Sequence, residues 1–282
     1  MYPETTPLHI RVLGSLSAHL DRRPVTPSAG KQRQILALLA LNCGRIVTVR
    51  TIVDELWGDD PPRSSGTTLQ TYILQLRNRL AGAVTPGGQD ARQILGTRHG
   101  GYILDGPSCQ TDVTDFERLA RAGRAAIEAK ENRTASELLG QALAMWHGSA
   151  LSDVPTGRVL ELEAISLEET RLGVLGRRIE ADLALGRHAD MIGELRMLTA
   201  KTPMDEKLCQ FLITALYRAG HADRALQEYQ RLRAVLREEL GIEPCPRLQH
   251  MQQAVLSRDP SLDVDGYAML LASARQHGPD AE

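Results

Sequence analysis

The sequence predicts a mainly α protein in two parts: an α+β domain over residues 1–108 and an all-α repeat domain over residues 109–258, followed by an acidic, loosely ordered tail at 259–282. Three observations predict it. Strand-like stretches flank three helix-like ones before residue 108, the pattern beyond Asp112 is helical almost to the end, and a Gly-centred motif recurs there after 33 to 34 residues.

Leu8, Ile10 and Val12 alternate with polar neighbours, the mark of a half-buried strand, and Asp21-Arg22-Arg23-Pro24 supplies a turn into another short strand. From Gly30 to Asn42 the apolar residues Ile35, Leu38, Leu39 and Ala40 fall at helical spacing. Thr48 is placed to cap a second, short helix carrying Ile52, Val53 and Leu56 and closed by Gly58. Asp59-Asp60-Pro61-Pro62 cannot continue that helix, because proline lacks the N–H the ladder needs. A third helix runs from about Ser65 to Leu80, and residues 82–92 form a turn-rich connection. Ile94-Leu95 and Tyr102-Ile103-Leu104 flank Arg98-His99-Gly100-Gly101 as a β-hairpin. Strand pair, three helices and hairpin, in that order, make a winged helix-turn-helix. In that fold the third helix enters the major groove and the hairpin lies on the neighbouring backbone.

Beyond Asp112 the helical pattern breaks near Asn132, at 148–157, and near Gly186, Pro203, Gly220 and Pro244–Pro246. Gly186-Arg187-His188-Ala189-Asp190 returns as Gly220-His221-Ala222-Asp223, with Glu194 and Leu195 matched by Glu228 and Tyr229. That period is the one tetratricopeptide repeats use.

Charge separates the two halves. Residues 1–108 hold 12 basic and 8 acidic side chains, residues 109–282 hold 21 and 27, so a basic domain precedes an acidic one within a chain of net charge −2. That asymmetry is expected where one half meets phosphate. The cysteines at 43, 109, 209 and 245 lie too far apart for a metal knuckle and are expected to be reduced thiols. No apolar run approaches the length of a membrane span and the N-terminus lacks a signal peptide's basic start, so a soluble, cytoplasmic protein is expected. Phosphate-loop, zinc-protease and nucleophile-elbow motifs are absent and the eight histidines are dispersed, so neither an enzyme nor a cofactor is expected.

At about 100° per residue, Leu69, Ile73, Leu76 and Leu80 share one stripe of the third helix and should pack on the core. The opposite face carries Thr67, Thr71, Leu74, Gln75 and Asn78, flanked by Thr68 and Arg79. A solvated helix is usually rich in Glu and Lys, yet no acidic residue occurs between Pro61 and Gln89. Amides suit the N6/N7 edge of adenine, and Thr or Leu suits a thymine methyl, so Thr71, Leu74, Gln75 and Asn78 are the candidate base contacts. Arg63, Arg77 and Arg79 surround this face as phosphate contacts, with Thr67 and Thr68 offering hydroxyls and free N–H groups at the helix start. Arg98 and His99 at the hairpin tip, and Lys31 and Arg33 at the start of the first helix, complete the backbone candidates. Asp59 and Asp60 are held away from the helices by Pro61-Pro62. Phosphate would repel them, so they should face a basic protein.

Leu36-Ala37-Leu38-Leu39-Ala40-Leu41, Val47-Thr48-Val49, Asp54-Glu55-Leu56-Trp57-Gly58-Asp59-Asp60-Pro61-Pro62, Leu69-Gln70-Thr71-Tyr72-Ile73 and the Gly100-Gly101-Tyr102 wing resemble the Streptomyces antibiotic regulatory protein (SARP) family. Asp115-Phe116-Glu117, Ala142-Leu143-Ala144-Met145-Trp146-His147-Gly148, Ala215-Leu216-Tyr217-Arg218-Ala219-Gly220 and Glu239-Leu240-Gly241-Ile242-Glu243-Pro244 are similar to that family's bacterial transcriptional activator domain. The resemblance covers about residues 8–258. It implies an OmpR-type winged helix acting as an activator of secondary-metabolite genes. Such a protein binds double-stranded promoter DNA at direct repeats, as two protomers side by side, and recruits RNA polymerase. It further implies that Asp59 and Asp60 meet the sigma subunit. Leu74 and Gln75 depart from the basic residues many related winged helices carry, and the nucleotide-binding and sensor modules of the family's large members are not expected, as in a small pathway-specific member. A repeat scaffold whose N-terminal domain merely assists is the alternative reading.

Overall fold

The computed structural model describes residues 7–85, 89–106, 109–259 and 262. The N-terminal alternation becomes β1 (Leu8–Arg11), which pairs antiparallel with β2 (Ser17–Leu20), and β2 with β3 (Arg23–Pro24). Asp21 and Arg22 both take positive φ in the tight turn between β2 and β3. The three expected helices follow as α1 (Gly30–Leu41), α2 (Val49–Trp57) and α3 (Ser65–Ala81). Thr48 caps α2 as its chemistry requires, its hydroxyl oxygen accepting from the Thr51 N–H at 3.1 Å.

Three short elements were not anticipated. Residues 91–94 form a one-turn helix, α4 (Ala91–Ile94), where Ile94 was expected in a strand; Asp90 caps it and Gln93 returns a bond to the Asp90 N–H. β4 (Val47–Thr48) joins the hairpin of β5 (Leu95–Arg98) and β6 (Gly101–Leu104), making a three-stranded wing in the order β4-β6-β5. β7 (Cys109–Thr111) pairs parallel with β1 and completes the sheet β3-β2-β1-β7.

Helices fill the rest: α5 (Asp112–Glu128), α6 (Asn132–Ala144), α7 (Arg158–Ala184), α8 (His188–Lys201), α9 (Glu206–Arg218), α10 (Ala222–Glu239) and α11 (Pro246–Ser257). Their breaks fall near the expected positions, at Gly or Pro except before Asn132, where Lys130 takes a φ of +62°. Gly186 and Gly220 hold φ of +78° and +84° ahead of α8 and α10, the matching positions of the 34-residue repeat. Of the tail at 259–282, Asp259 and Leu262 are among the described residues and the remainder lies outside them.

Packing divides the chain elsewhere than at residue 108. The first compact unit comprises the residues up to 122 together with 138–174, the second 123–137 together with those from 175 onward. In the first, Leu151, Val154 and Leu160 lie in the same core as Leu8, Ile35, Leu38, Ile52, Leu69, Ile73 and Leu104. The backbone N–H groups of His147, Leu151 and Ser152 donate to the carbonyls of Leu13, Val12 and Gly14, and the Leu16 N–H donates to Asp153 at 2.8 Å. In the second, Ile179, Leu195, Phe211, Leu212, Leu216, Tyr229 and Leu248 form a separate core. The buried Asp182 accepts there from Ser136 at 2.7 Å, Arg187 at 2.8 Å and Arg178 at 3.2 Å, as a buried carboxylate must.

Candidate nucleic-acid interface

The site is built on α3. Leu69, Ile73, Leu76 and Leu80 are buried against the core, which turns Thr67, Thr71, Leu74, Gln75, Asn78 and Arg79 to solvent. Leu74 is 54% exposed on this face. The Thr71 hydroxyl donates to the Thr67 carbonyl at 3.1 Å, so its oxygen lone pairs and methyl remain outward. Thr67 is exposed at the helix start and Thr68 is half-buried. Ser64, at the N-cap position, makes no side-chain bond to the helix, leaving the first-turn N–H groups uncapped by a side chain.

The predicted cations separate into two sets. Arg63 and Arg79 are exposed, as are Arg98 and His99 at the hairpin tip. Gly100 makes the tip turn with φ +78°, and a side chain at Gly101 would collide with the Val47 carbonyl of β4. The other three are engaged within the protein. Arg77 donates through Nε and NH2 to the Leu95 carbonyl at 2.9 and 2.8 Å and through NH2 to Thr97, tying α3 to the wing, and burial lowers its pKa. Lys31 reaches the Leu56 carbonyl and stands 6.0 Å from the Trp57 ring centroid. Arg33 meets Asp153 at 2.5 Å and the carbonyls of Pro27 and Leu16. These side chains bind groups of the protein itself and orient helices and the wing.

Asp59 and Asp60 are exposed beside Gly58, and neither has an ion-pair partner among the described residues. Two further residues carry no strong local signal in the sequence. Gln32 of α1 donates to the Gln75 amide oxygen at 2.5 Å. Glu55 of α2, 2% exposed, accepts from the N–H groups of Gly157 (2.6 Å), Val159 (2.8 Å) and Leu160 (3.2 Å), and from Gln34 at 3.0 Å. Glu55 thereby satisfies the N–H groups that open α7, in the orientation a helix dipole favours for an anion. Gly157 has no room for a side chain, since a Cβ there would meet the Glu55 carbonyl.

No group of His, Cys, Asp and Glu among the described residues could hold a metal ion, and no described helix is long and apolar enough to cross a membrane.

Comparison with known proteins places this geometry. Residues 111–256 match the family model described as bacterial transcriptional activator domain, and residues 25–104 match that described as transcriptional regulatory protein, C terminal. The chain is 47% identical to Regulatory protein DnrI of Streptomyces peucetius, over 92% of this chain and 96% of that one. It is 36% identical to Regulatory protein AfsR of Streptomyces coelicolor, over 92% of this chain but 25% of that longer relative. Among solved structures, Mycobacterium tuberculosis EmbR in complex with a low-affinity phosphopeptide superposes with a TM-score of 0.85 at 33% identity, covering 95% of this chain and 70% of that one. With an OmpR-type winged helix followed by a bacterial transcriptional activator domain, the chain belongs to the SARP family of transcriptional activators.

Proposed function

We propose that the protein binds double-stranded promoter DNA, as two copies side by side on direct repeats, and recruits RNA polymerase to activate genes of secondary-metabolite biosynthesis. The observation that carries this reading is the outer face of α3, where Thr71, Leu74, Gln75 and Asn78 stand exposed over a buried apolar stripe, with no acidic residue between Pro61 and Gln89. Short amide, hydroxyl and apolar groups match base edges, whereas a merely solvated face would carry interleaved charge. Phosphate contacts fall to Arg63, Arg79, Arg98 and His99, together with Thr67 and Thr68 at the start of α3. Such a protein acts at the nucleoid in the cytoplasm and catalyses no reaction.

The test is binding of the full chain to its promoter fragments across a salt series. Gln75→Ala and Asn78→Ala should each weaken the cognate site by about 1–3 kcal/mol and narrow its advantage over unrelated DNA. Unchanged discrimination in both variants would remove α3 as the reading element. Binding without salt dependence would instead favour a repeat scaffold.

The polymerase contact rests on Asp59 and Asp60, exposed carboxylates in an otherwise basic domain. DNA repels them, so a basic surface of the sigma subunit is their partner. Replacing both with Ala should leave DNA affinity near normal and abolish activation in a transcription assay run in parallel. Full activation by the double variant would move the polymerase contact to the repeat domain.

A further inference from the structure

We infer that Gln32, in the first turn of α1, is a positioning residue for base reading: it holds the Gln75 amide with the oxygen toward α1 and the amino group free for a base edge. The inference rests on the reading of α3 as the recognition helix.

Gln75 is exposed, and a free glutamine there would sample several rotamers and both amide orientations. It is not free, because Gln32 Nε2 donates to Gln75 Oε1 at 2.5 Å. Gln32 itself sits on a fixed support. Its neighbour Lys31 is bound to the Leu56 carbonyl, Arg33 to Asp153, and Gln34 to both the carbonyl and the carboxylate of Glu55. Lys31, Arg33 and Gln34 are thus tethered, which fixes the first turn of α1 from which Gln32 reaches Gln75. Ser28, Ala29, Gln32, Gln75, Asn78 and Arg79 line one open concavity, which places the pair beside the other candidate reader and a candidate phosphate contact.

The chemistry follows from the inventory of an amide. With its oxygen occupied from the protein side, Gln75 presents an N–H donor outward, and the matching base edge offers an acceptor such as purine N7. A glutamine free to flip reads donor and acceptor edges with less contrast. Gln32 acts on specificity through Gln75 without touching DNA itself.

The experiment is a double-mutant cycle in the full chain. The probes are a duplex that the wild-type protein selects from a randomised library and a scrambled duplex of the same composition. Gln32→Ala should cut the affinity ratio of selected to scrambled duplex about 3- to 10-fold, the worth of one hydrogen bond. In a Gln75→Ala background the same change should alter the ratio less than 2-fold, about the scatter of additive sites. A second selection with Gln32→Glu, whose side chain accepts rather than donates, should turn the Gln75 amide over and change the base chosen at one position. Equal effects of Gln32→Ala in both backgrounds would overturn the proposal, because Gln32 would then act by itself. So would an unchanged selected sequence with Gln32→Glu in a variant whose melting temperature matches wild type. A Gln75→Ala variant with an unaltered ratio would overturn the recognition-helix reading instead.

Discussion

Replacing Glu55 tests how much of the first unit hangs on one buried carboxylate. Glu55→Ala removes an acceptor that serves three backbone N–H groups at the start of α7 and the Gln34 amide, at 2.6 to 3.2 Å and with 2% exposure. Hydrogen bonds to a charged group contribute about 1.5–3 kcal/mol each, but they are not additive, and water can enter to solvate part of what is stranded. Leaving a buried donor unpaired costs about 1–3 kcal/mol, so stranding these four donors, with water reaching some of them, costs about 3–5 kcal/mol in all. At about 2–4 °C per kcal/mol for a unit of this size, the melting temperature should fall by about 6–20 °C. Glu55→Gln should recover little, because its amino group would face the Gly157 or Val159 N–H, donor against donor. Differential scanning calorimetry gives the shift, and hydrogen exchange locates it: amides 157–160 should lose protection before the α9–α10 region does. A melting temperature lowered by less than about 2 °C, with amides 157–160 still protected, would refute the assignment of Glu55 as the anchor of α7.

Arg79→Ala should weaken binding to all DNA alike and flatten the salt slope by about one unit, whereas Arg77→Ala should keep the slope and lower stability, since its guanidinium serves Leu95 and Thr97; equal slopes would refute that division. Inserting five base pairs between half-sites turns one of them by about half a helical turn and should abolish cooperative binding in a gel-shift titration. Native alkylation followed by mass spectrometry should label Cys43 first, because a hydrogen bond with the Cys109 thiol lowers its pKa, and Cys109 and Cys209 last, because the bond to Cys43 and burial raise the Cys109 thiol and burial pushes that of Cys209 up to about 12. Burial raises the Asp112 carboxyl against the N–H bonds of Leu13, Val12 and Val113 that hold it down. Folding then takes up a proton, so this group's favourable contribution is complete below the unfolded value of about 4 and is lost as pH rises through the folded value. The melting temperature of Asp112→Asn relative to wild type should therefore rise from about pH 4 upward. A difference independent of pH would refute it.

By itself the sequence determined what depends on neighbours along the chain. The stripe of Leu69, Ile73, Leu76 and Leu80 sets which face of α3 is buried and hence which residues are offered to a partner. Thr48 marks the start of α2, and Gly186 and Gly220 mark the repeat, because caps and helix breaks are properties of a few adjacent residues. The tertiary structure decided everything that depends on distant pairs. Lys31, Arg33 and Arg77 read in sequence like Arg63 and Arg79, and their partners at Leu56, Asp153 and Leu95 lie 25, 120 and 18 residues away. Short α4 and β4 depend on Asp90 and on the wing strand β6, and neither carries enough periodicity to announce itself. Glu55 sits in a motif beside Asp54 and looks like one more surface carboxylate, until Gly157, 102 residues on, brings it the N–H groups of α7. No local pattern records such a pairing, because its free energy arises only when both segments leave water together.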